Sequence, residues 1–122
     1  MTGRSIRDFT ERPERALCLY SLEQILKLQR EGHSIYPGSV GENVTIVGLK
    51  WAELEPGFRL ALGDEVRVEI SSYTVPCKNI TASFLGGNFS RLSQKRYPGE
   101  ARLYARVLHT GRLAIGQKVI LL

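Results

Sequence analysis

Apolar and polar residues alternate over residues 65–71, with Val66, Val68 and Ile70 on one side and Arg67 and Glu69 on the other. That period of two predicts a strand with one buried face. Residues 101–108 repeat it, Leu103, Ala105 and Val107 opposing Arg102, Tyr104 and Arg106. A short apolar run over residues 16–20 reads as a strand that leads directly into a helix. Ser21 followed three residues later by Gln24 makes a capping-box pattern. In that helix Leu22, Ile25, Leu26 and Leu28 form the apolar stripe, Glu23, Lys27 and Arg30 face water, and Gly32 offers the stop.

Residues 44–47 and 118–122 add two short strands, and residues 51–54 a helical turn before the Pro56-Gly57 break. Pro37, Gly38 and Gly41 force turns that bring backbone amides close to any ligand. Residues 79–85 and 89–97 read as helical turns or ordered loop on either side of Gly86-Gly87. Several short strands punctuated by glycine turns, with one clear helix and short helical insertions, predict a mainly β, barrel-like fold.

At 122 residues, 43% hydrophobic and 24% charged, the chain has the size and composition of one packed domain. The expected division is a short polar segment over residues 1–15 and the barrel over residues 16–122. No apolar run approaches the ~18 residues of a membrane helix, and the polar start has no signal-peptide stretch. A cytosolic protein is expected, which leaves Cys18 and Cys77 reduced. The net charge of +5 comes from 17 basic and 12 acidic residues, among them Arg4, Arg7, Arg12, Arg15, Arg91, Lys95, Arg96 and Arg102. Such an excess permits an anionic partner, although a solvated basic surface explains it as well. Basic residues are not interleaved with aromatics, so nucleic acid is not expected as a partner.

Cys77 carries the clearest candidate chemistry, in the run Val75-Pro76-Cys77-Lys78-Asn79. Pro76 fixes its own φ and biases Val75 toward extended backbone, so the thiol emerges from a defined turn. Lys78 favours the thiolate, the form that attacks sulfur or binds a soft metal. The plain alternative is a buried, inert thiol, and for Cys18, between Leu17 and Leu19, core packing is the reading. Gly41, Glu42, Asn43 and Thr45 form a loop able to hydrogen-bond a ligand, or an Asn that stabilises its own turn. Arg96 and Arg106 are candidates to grip a phosphate, with Arg106 equally placed to point to solvent. His33 and His109 fit no zinc spacing and no triad with Cys77.

The segments Pro37-Gly38-Ser39-Val40-Gly41-Glu42-Asn43-Val44-Thr45, Leu60-Ala61-Leu62-Gly63-Asp64, Val75-Pro76-Cys77 and Tyr104-Ala105-Arg106-Val107-Leu108 stand in the order seen in MOSC domains. Over about residues 16–122 the chain resembles the C-terminal domain of molybdenum cofactor sulfurase. The resemblance implies a MOSC-type β-barrel that handles sulfur or a molybdopterin-type molybdenum cofactor, with Cys77 as sulfur carrier or as molybdenum ligand. It implies sulfurtransferase or molybdenum-cofactor-dependent activity, with a cysteine desulfurase as donor and a molybdoenzyme or cofactor as acceptor. The cofactor contacts would come from Gly41, Glu42, Asn43, Thr45, Lys78, Arg96 and Arg106. Family members also occur fused to pyridoxal-phosphate-dependent desulfurases, but that site belongs to the fused domain and is not expected in this chain.

In related domains a longer N-terminal stretch precedes the segment matching Arg15-Ala16-Leu17-Cys18. Here residues 1–14, with little strand-like character, stand in its place. That predicts a shortened start or a barrel that closes differently, and leaves the oligomeric state open. Two other readings stay beside the sulfur carrier: a non-catalytic module that binds a cofactor or other ligand, and an inactive shortened family member.

Overall fold

The computed structural model describes residues 4–6 and 13–122. These form strands β1 (Arg4–Ile6), β2 (Leu17–Ser21), β3 (Val44–Ile46), β4 (Arg59–Leu62), β5 (Val66–Tyr73), β6 (Leu103–His109), β7 (Gly111–Leu113) and β8 (Val119–Leu121). One α-helix, α1 (Leu22–Arg30), stands among several 3-10 turns. Six strands make one sheet in the order β3-β2-β6-β5-β4-β8, and β1 pairs with β7 in a small separate ribbon. The large sheet curls into a nearly closed barrel, its two edge strands, β3 and β8, lining opposite sides of one groove.

The registers explain the core. Leu17 lies opposite Ala105 and Leu19 opposite Leu103; Val68 and Ile70 lie opposite Val107 and Ala105; Leu60 and Leu62 lie opposite Val68 and Val66. Directly paired residues share a face of the sheet. One face therefore carries an unbroken apolar layer, and it turns inward. Polar positions fall on the other face, where Glu69 stands between Arg59 and Arg106 and pairs with them at 3.0 and 3.6 Å. Near the far end of β5 the ladder shifts register between Ile70 and Ser72, leaving Ser71 as an extra residue. A bulge of this kind bends a strand and re-aims the residues beyond it.

Strand β2 is buried at all five positions. Leu17 and Leu19 enter the barrel, while Cys18 and Tyr20 on the opposite face are covered by other segments. Tyr20 packs edge-on against Trp51 at 6.0 Å and donates its hydroxyl to the Glu100 carbonyl at 2.6 Å. Burial raises the Tyr20 phenol well above its ordinary pKa, with the Glu100 carboxylate adding to the effect. Ser21 then ends β2 and caps α1, its Oγ accepting from the Gln24 amide at 3.2 Å. The other half of the expected capping box does not form, since Gln24 Oε1 has no partner. Ser21 is still part of the sheet, opposite Ile46. At the far end Gly32, with φ of +99°, lets the His33 amide reach back to the Leu28 carbonyl. This is a Schellman stop.

Several expectations change. The N-terminal segment does contain a strand, β1, which pairs with β7. Arg7 and Arg12 lie outside the described residues. In α1 the buried stripe is Ile25 and Leu28, with Leu26 exposed. The basic residues are not all surface: Arg91 and Arg102 are both 6% exposed. Arg91 forks onto Glu31 with two 2.9 Å bonds, reaches Glu100 at 2.9 Å, and lies 4.1 Å from the Tyr97 ring. Three acceptors around one guanidinium offset much of its desolvation, so it clamps the end of α1 to residues 97–100.

Replacing Leu19, fully buried between both halves of the barrel, by alanine should cost about 2–5 kcal/mol in a denaturant titration. The Glu31 carboxyl is held below the ordinary carboxylate range, chiefly by its hydrogen bonds from Arg91. A depressed folded pKa gives stability that is complete above the unfolded pKa and lost as pH falls through the folded one. Acid titration should thus show a loss of stability below the usual carboxylate range that shrinks in Glu31→Gln, read as the pH dependence of the thermal midpoint.

Candidate functional site

Cys77 follows directly from the end of β5. Once the Ser71 bulge has passed, Thr74 closes the strand by donating its amide to the Arg102 carbonyl at 2.9 Å. The chain then turns outward through Val75, which is 79% exposed, and Pro76. Cys77 is exposed and stands at the N-terminal boundary of a 3-10 turn over Lys78–Ser83, its carbonyl accepting from the Ile80 amide at 3.2 Å. Its side chain makes no capping hydrogen bond. The thiol is free to meet a second molecule.

Cys18 has the opposite setting. It is buried, with Sγ 3.7 Å from Thr74 Oγ1. Burial pushes its thiol up, against the lowering effects of the Arg102 charge and the Thr74 hydroxyl. The two cysteines are therefore sorted by the fold into one accessible and one desolvated thiol, and neither is in a disulfide.

The glycine-containing loop lies beside the Cys77 turn. Ser83, the last residue of the 3-10 turn, donates to the Ser39 carbonyl at 3.5 Å, and Arg102 Nη1 donates to the Val40 carbonyl at 2.6 Å. Arg102 thus touches both segments, one through its guanidinium and the other through its backbone. Within the loop, the Asn43 amide donates to the Cys18 carbonyl and Asn43 Oδ1 accepts from the Cys18 amide, each at 2.7 Å. Those bonds give Asn43 a structural task, the continuation of the sheet beyond β3. Glu42 is buried; one oxygen accepts from Thr45 at 3.3 Å and the other, Oε1, has no partner.

A groove of about 640 Å³ opens between the two edge strands. Glu42, Asn43, Val44 and Thr45 form one wall, and Leu113, Ile115, Gln117 and Val119 form the other. Its size suits a small organic ligand. Of the candidate residues, Glu42, Asn43 and Thr45 meet here; Gly41, Cys77, Lys78, Arg96 and Arg106 do not line it. Arg106 sits on the outer face of the sheet with Glu69. Arg96 and Lys78 are exposed, and Arg96 lies in the turn that follows Ser93. Among the described residues no group of three His, Cys, Asp or Glu side chains is placed to hold a metal ion, and no helix is long and apolar enough to cross a membrane.

Arg102 is the residue that sequence reasoning missed. Alternation along β6 assigns it to the polar face with Tyr104 and Arg106, but it precedes the strand and lies beneath the Val40 peptide. Its neighbours Ala101 and Leu103 are 2% and 1% exposed, so a charged residue between two apolar ones was the available signal.

The MOSC domain family model matches residues 7–120. No curated protein matches the chain. The fold is similar to that of YiiM from Geobacillus stearothermophilus, with a TM-score of 0.75 and 22% identity over 99% of this chain and 60% of that one. YiiM from Escherichia coli gives a TM-score of 0.73 at 21% identity, covering 99% of this chain and 62% of that one. The YuaD protein from Bacillus subtilis gives 0.65 at 18% identity, covering 87% and 63%. The chain spans less than two thirds of the length of each of these proteins.

The two thiols should differ sharply toward an alkylating agent. Peptide mapping after a short iodoacetamide pulse at neutral pH is expected to find Cys77 modified by at least about tenfold more than Cys18, a gap that closes in denaturant. Equal labelling in the native protein would contradict the burial assigned to Cys18.

Proposed function

The chain belongs to the MOSC domain family, and from that membership we propose that it handles sulfur or a molybdenum cofactor through the Cys77 thiolate. The observation that carries this reading is the exposure of Cys77 on a turn held beside the glycine-containing loop, while the other thiol is withdrawn into the core. The setting is cytosolic, where both thiols stay reduced.

As a sulfur carrier, Cys77 takes sulfur from a persulfide on a cysteine desulfurase. The Cys77 thiolate attacks the outer sulfur of the donor persulfide, a new S–S bond forms to Cys77, the donor's S–S bond breaks, and the electron pair leaves with the donor thiolate. The outer sulfur keeps its proton and then passes to an acceptor thiolate of a molybdoenzyme by the same exchange, Cys77 leaving as the thiolate. Pro76 and the bond from Thr74 to Arg102 fix where the thiol emerges, so the donor meets a preset turn.

The donor chemistry of Cys77 also fits molybdenum. Its sulfur, once deprotonated, is a soft donor of the kind such a metal takes. In that case Cys77 would be the protein ligand, while Glu42 and Thr45 line the separate groove. Bound molybdenum would supply two-electron atom-transfer chemistry. Gly41, Asn43, Lys78, Arg96 and Arg106 remain proposed contacts on the strength of the family resemblance.

A second reading rests on a separate observation. The groove between β3 and β8 is not lined by Cys77. A module that binds its ligand there without covalent chemistry would use Glu42 and Thr45 and leave the thiol idle.

Incubation with a cysteine desulfurase and free cysteine, followed by intact-mass measurement, separates the two. The carrier gains the mass of about one sulfur atom, removable by reductant and mapped to Cys77, while Cys77→Ser folds and gains none. No gain on Cys77, with ligand binding unchanged in Cys77→Ser, would leave the binding module as the function.

A further inference from the structure

The Arg102 guanidinium uses one of its nitrogens. Nη1 is bonded to the Val40 carbonyl, whereas Nε and Nη2 are buried and meet no oxygen or nitrogen acceptor, with the Cys18 thiol as the guanidinium's weak hydrogen-bonding neighbour. These two groups lie along one edge of the planar guanidinium, and their N–H bonds point the same way. That edge grips two oxygens of a single carboxylate, phosphate or sulfate. A cation taken out of water with two donors unused is costly, and a fold that keeps one has a use for it or a partner nearby. Glu42 is the nearby carboxylate, also buried and with Oε1 unpartnered. Both charges act on the buried Cys18 thiol, and neither guanidinium donor is bonded to the Glu42 oxygen.

The backbone of Arg102 ties it to the segment that leads to Cys77. Arg102 holds the Val40 peptide on one side and the Thr74 amide on the other, and Cys77 lies three residues beyond Thr74. Val40 is flanked by Ser39 and Gly41, and Gly38 and Gly41 have φ of +89° and +80° with open space around each. The peptide that covers the guanidinium is therefore carried by a segment with a glycine at either end.

We propose that Arg102 is an oxyanion receptor: its Nε–Nη2 edge takes a tetrahedral oxyanion of the ligand that Cys77 acts on, with Glu42 as the internal competitor for the same edge. This deepens the Cys77 reading by naming the ligand class, an anion-bearing sulfur donor or a phosphate-bearing cofactor. The two sources share the chemistry at Arg102.

The test is calorimetric titration of the full chain with inorganic phosphate and, separately, with thiosulfate. It is run on wild type, Cys77→Ser, Arg102→Lys, Arg102→Gln and Glu42→Gln, each checked for a native circular dichroism spectrum. Wild type and Cys77→Ser should bind at least one anion, Glu42→Gln should bind it more tightly, and either Arg102 variant should weaken it by about tenfold or more. Arg102→Lys keeps the charge and loses the paired edge, so it remains informative where Arg102→Gln does not fold. Preference for thiosulfate identifies the anion of a sulfur donor, and preference for phosphate a phosphate-bearing cofactor. No binding of either anion by wild type, or undiminished binding by a folded Arg102 variant, overturns the proposal. Because Cys77→Ser carries no sulfur chemistry, binding there stands or falls apart from sulfur loading of Cys77.

Discussion

Strand β2 has no face turned to water, and the rest of the structure depends on that constraint. A strand buried on one side needs only a core; a strand buried on both needs a second layer of chain outside the sheet. Leu17 and Leu19 meet the first requirement through their pairing with Ala105 and Leu103. The second is met by the turn at Trp51, by residues 100–102, and by the loop that carries Asn43. Trp51 donates its indole N–H to the Ala101 carbonyl at 2.8 Å and stacks edge-on with Tyr20. Two of the segments that complete the burial of β2, the Asn43 loop and the chain at Arg102, also border the candidate site.

Covering the outer face brings polar groups under cover with it, and the structure treats them in two ways. Arg91 is surrounded by Glu31, Glu100 and the Tyr97 ring, and its charge works as a clamp. Arg102 has the Val40 carbonyl as its one oxygen acceptor, and its other neighbour is the buried Cys18 thiol. Each guanidinium has an unpartnered nitrogen, but Arg91 places its paired Nε–Nη2 edge on carboxylates and is structural, while the same edge of Arg102 meets no carboxylate. The same contrast separates the thiols, since Cys18 is desolvated by the layer that covers β2 and Cys77 lies past the edge of that layer.

Barrel closure supplies the second element of the site. The sheet ends at β3 on one side and β8 on the other, and where they fail to pair a groove remains with Glu42 and Thr45 on its wall. Unpaired strand edges are ordinarily protected or used. Here the glycine-containing loop runs from the groove to the Arg102 guanidinium, so the groove and the Cys77 turn are two ends of one segment's surroundings rather than a single pocket.

The sequence by itself determined those elements that a local pattern encodes. Period-two alternation placed β5 and β6, the Ser21 cap and Gly32 stop bounded α1, and Pro76 marked the turn that presents Cys77, because each of these is a preference of a few neighbouring residues. The motif order pointed to the MOSC family, and the matching model agrees. Tertiary structure alone decided what lies on the polar face of a strand. Arg102, Tyr104 and Arg106 read alike along the chain, yet Arg106 pairs with Glu69 outside while Arg102 is sealed under Val40. Strand β7 was likewise hidden, since Gly111–Leu113 is a strand by virtue of pairing with Arg4–Ile6, at the other end of the chain. Local pattern encodes which face a residue takes, but whether that face meets water or another layer of chain depends on contacts between residues distant in sequence, which no local pattern contains.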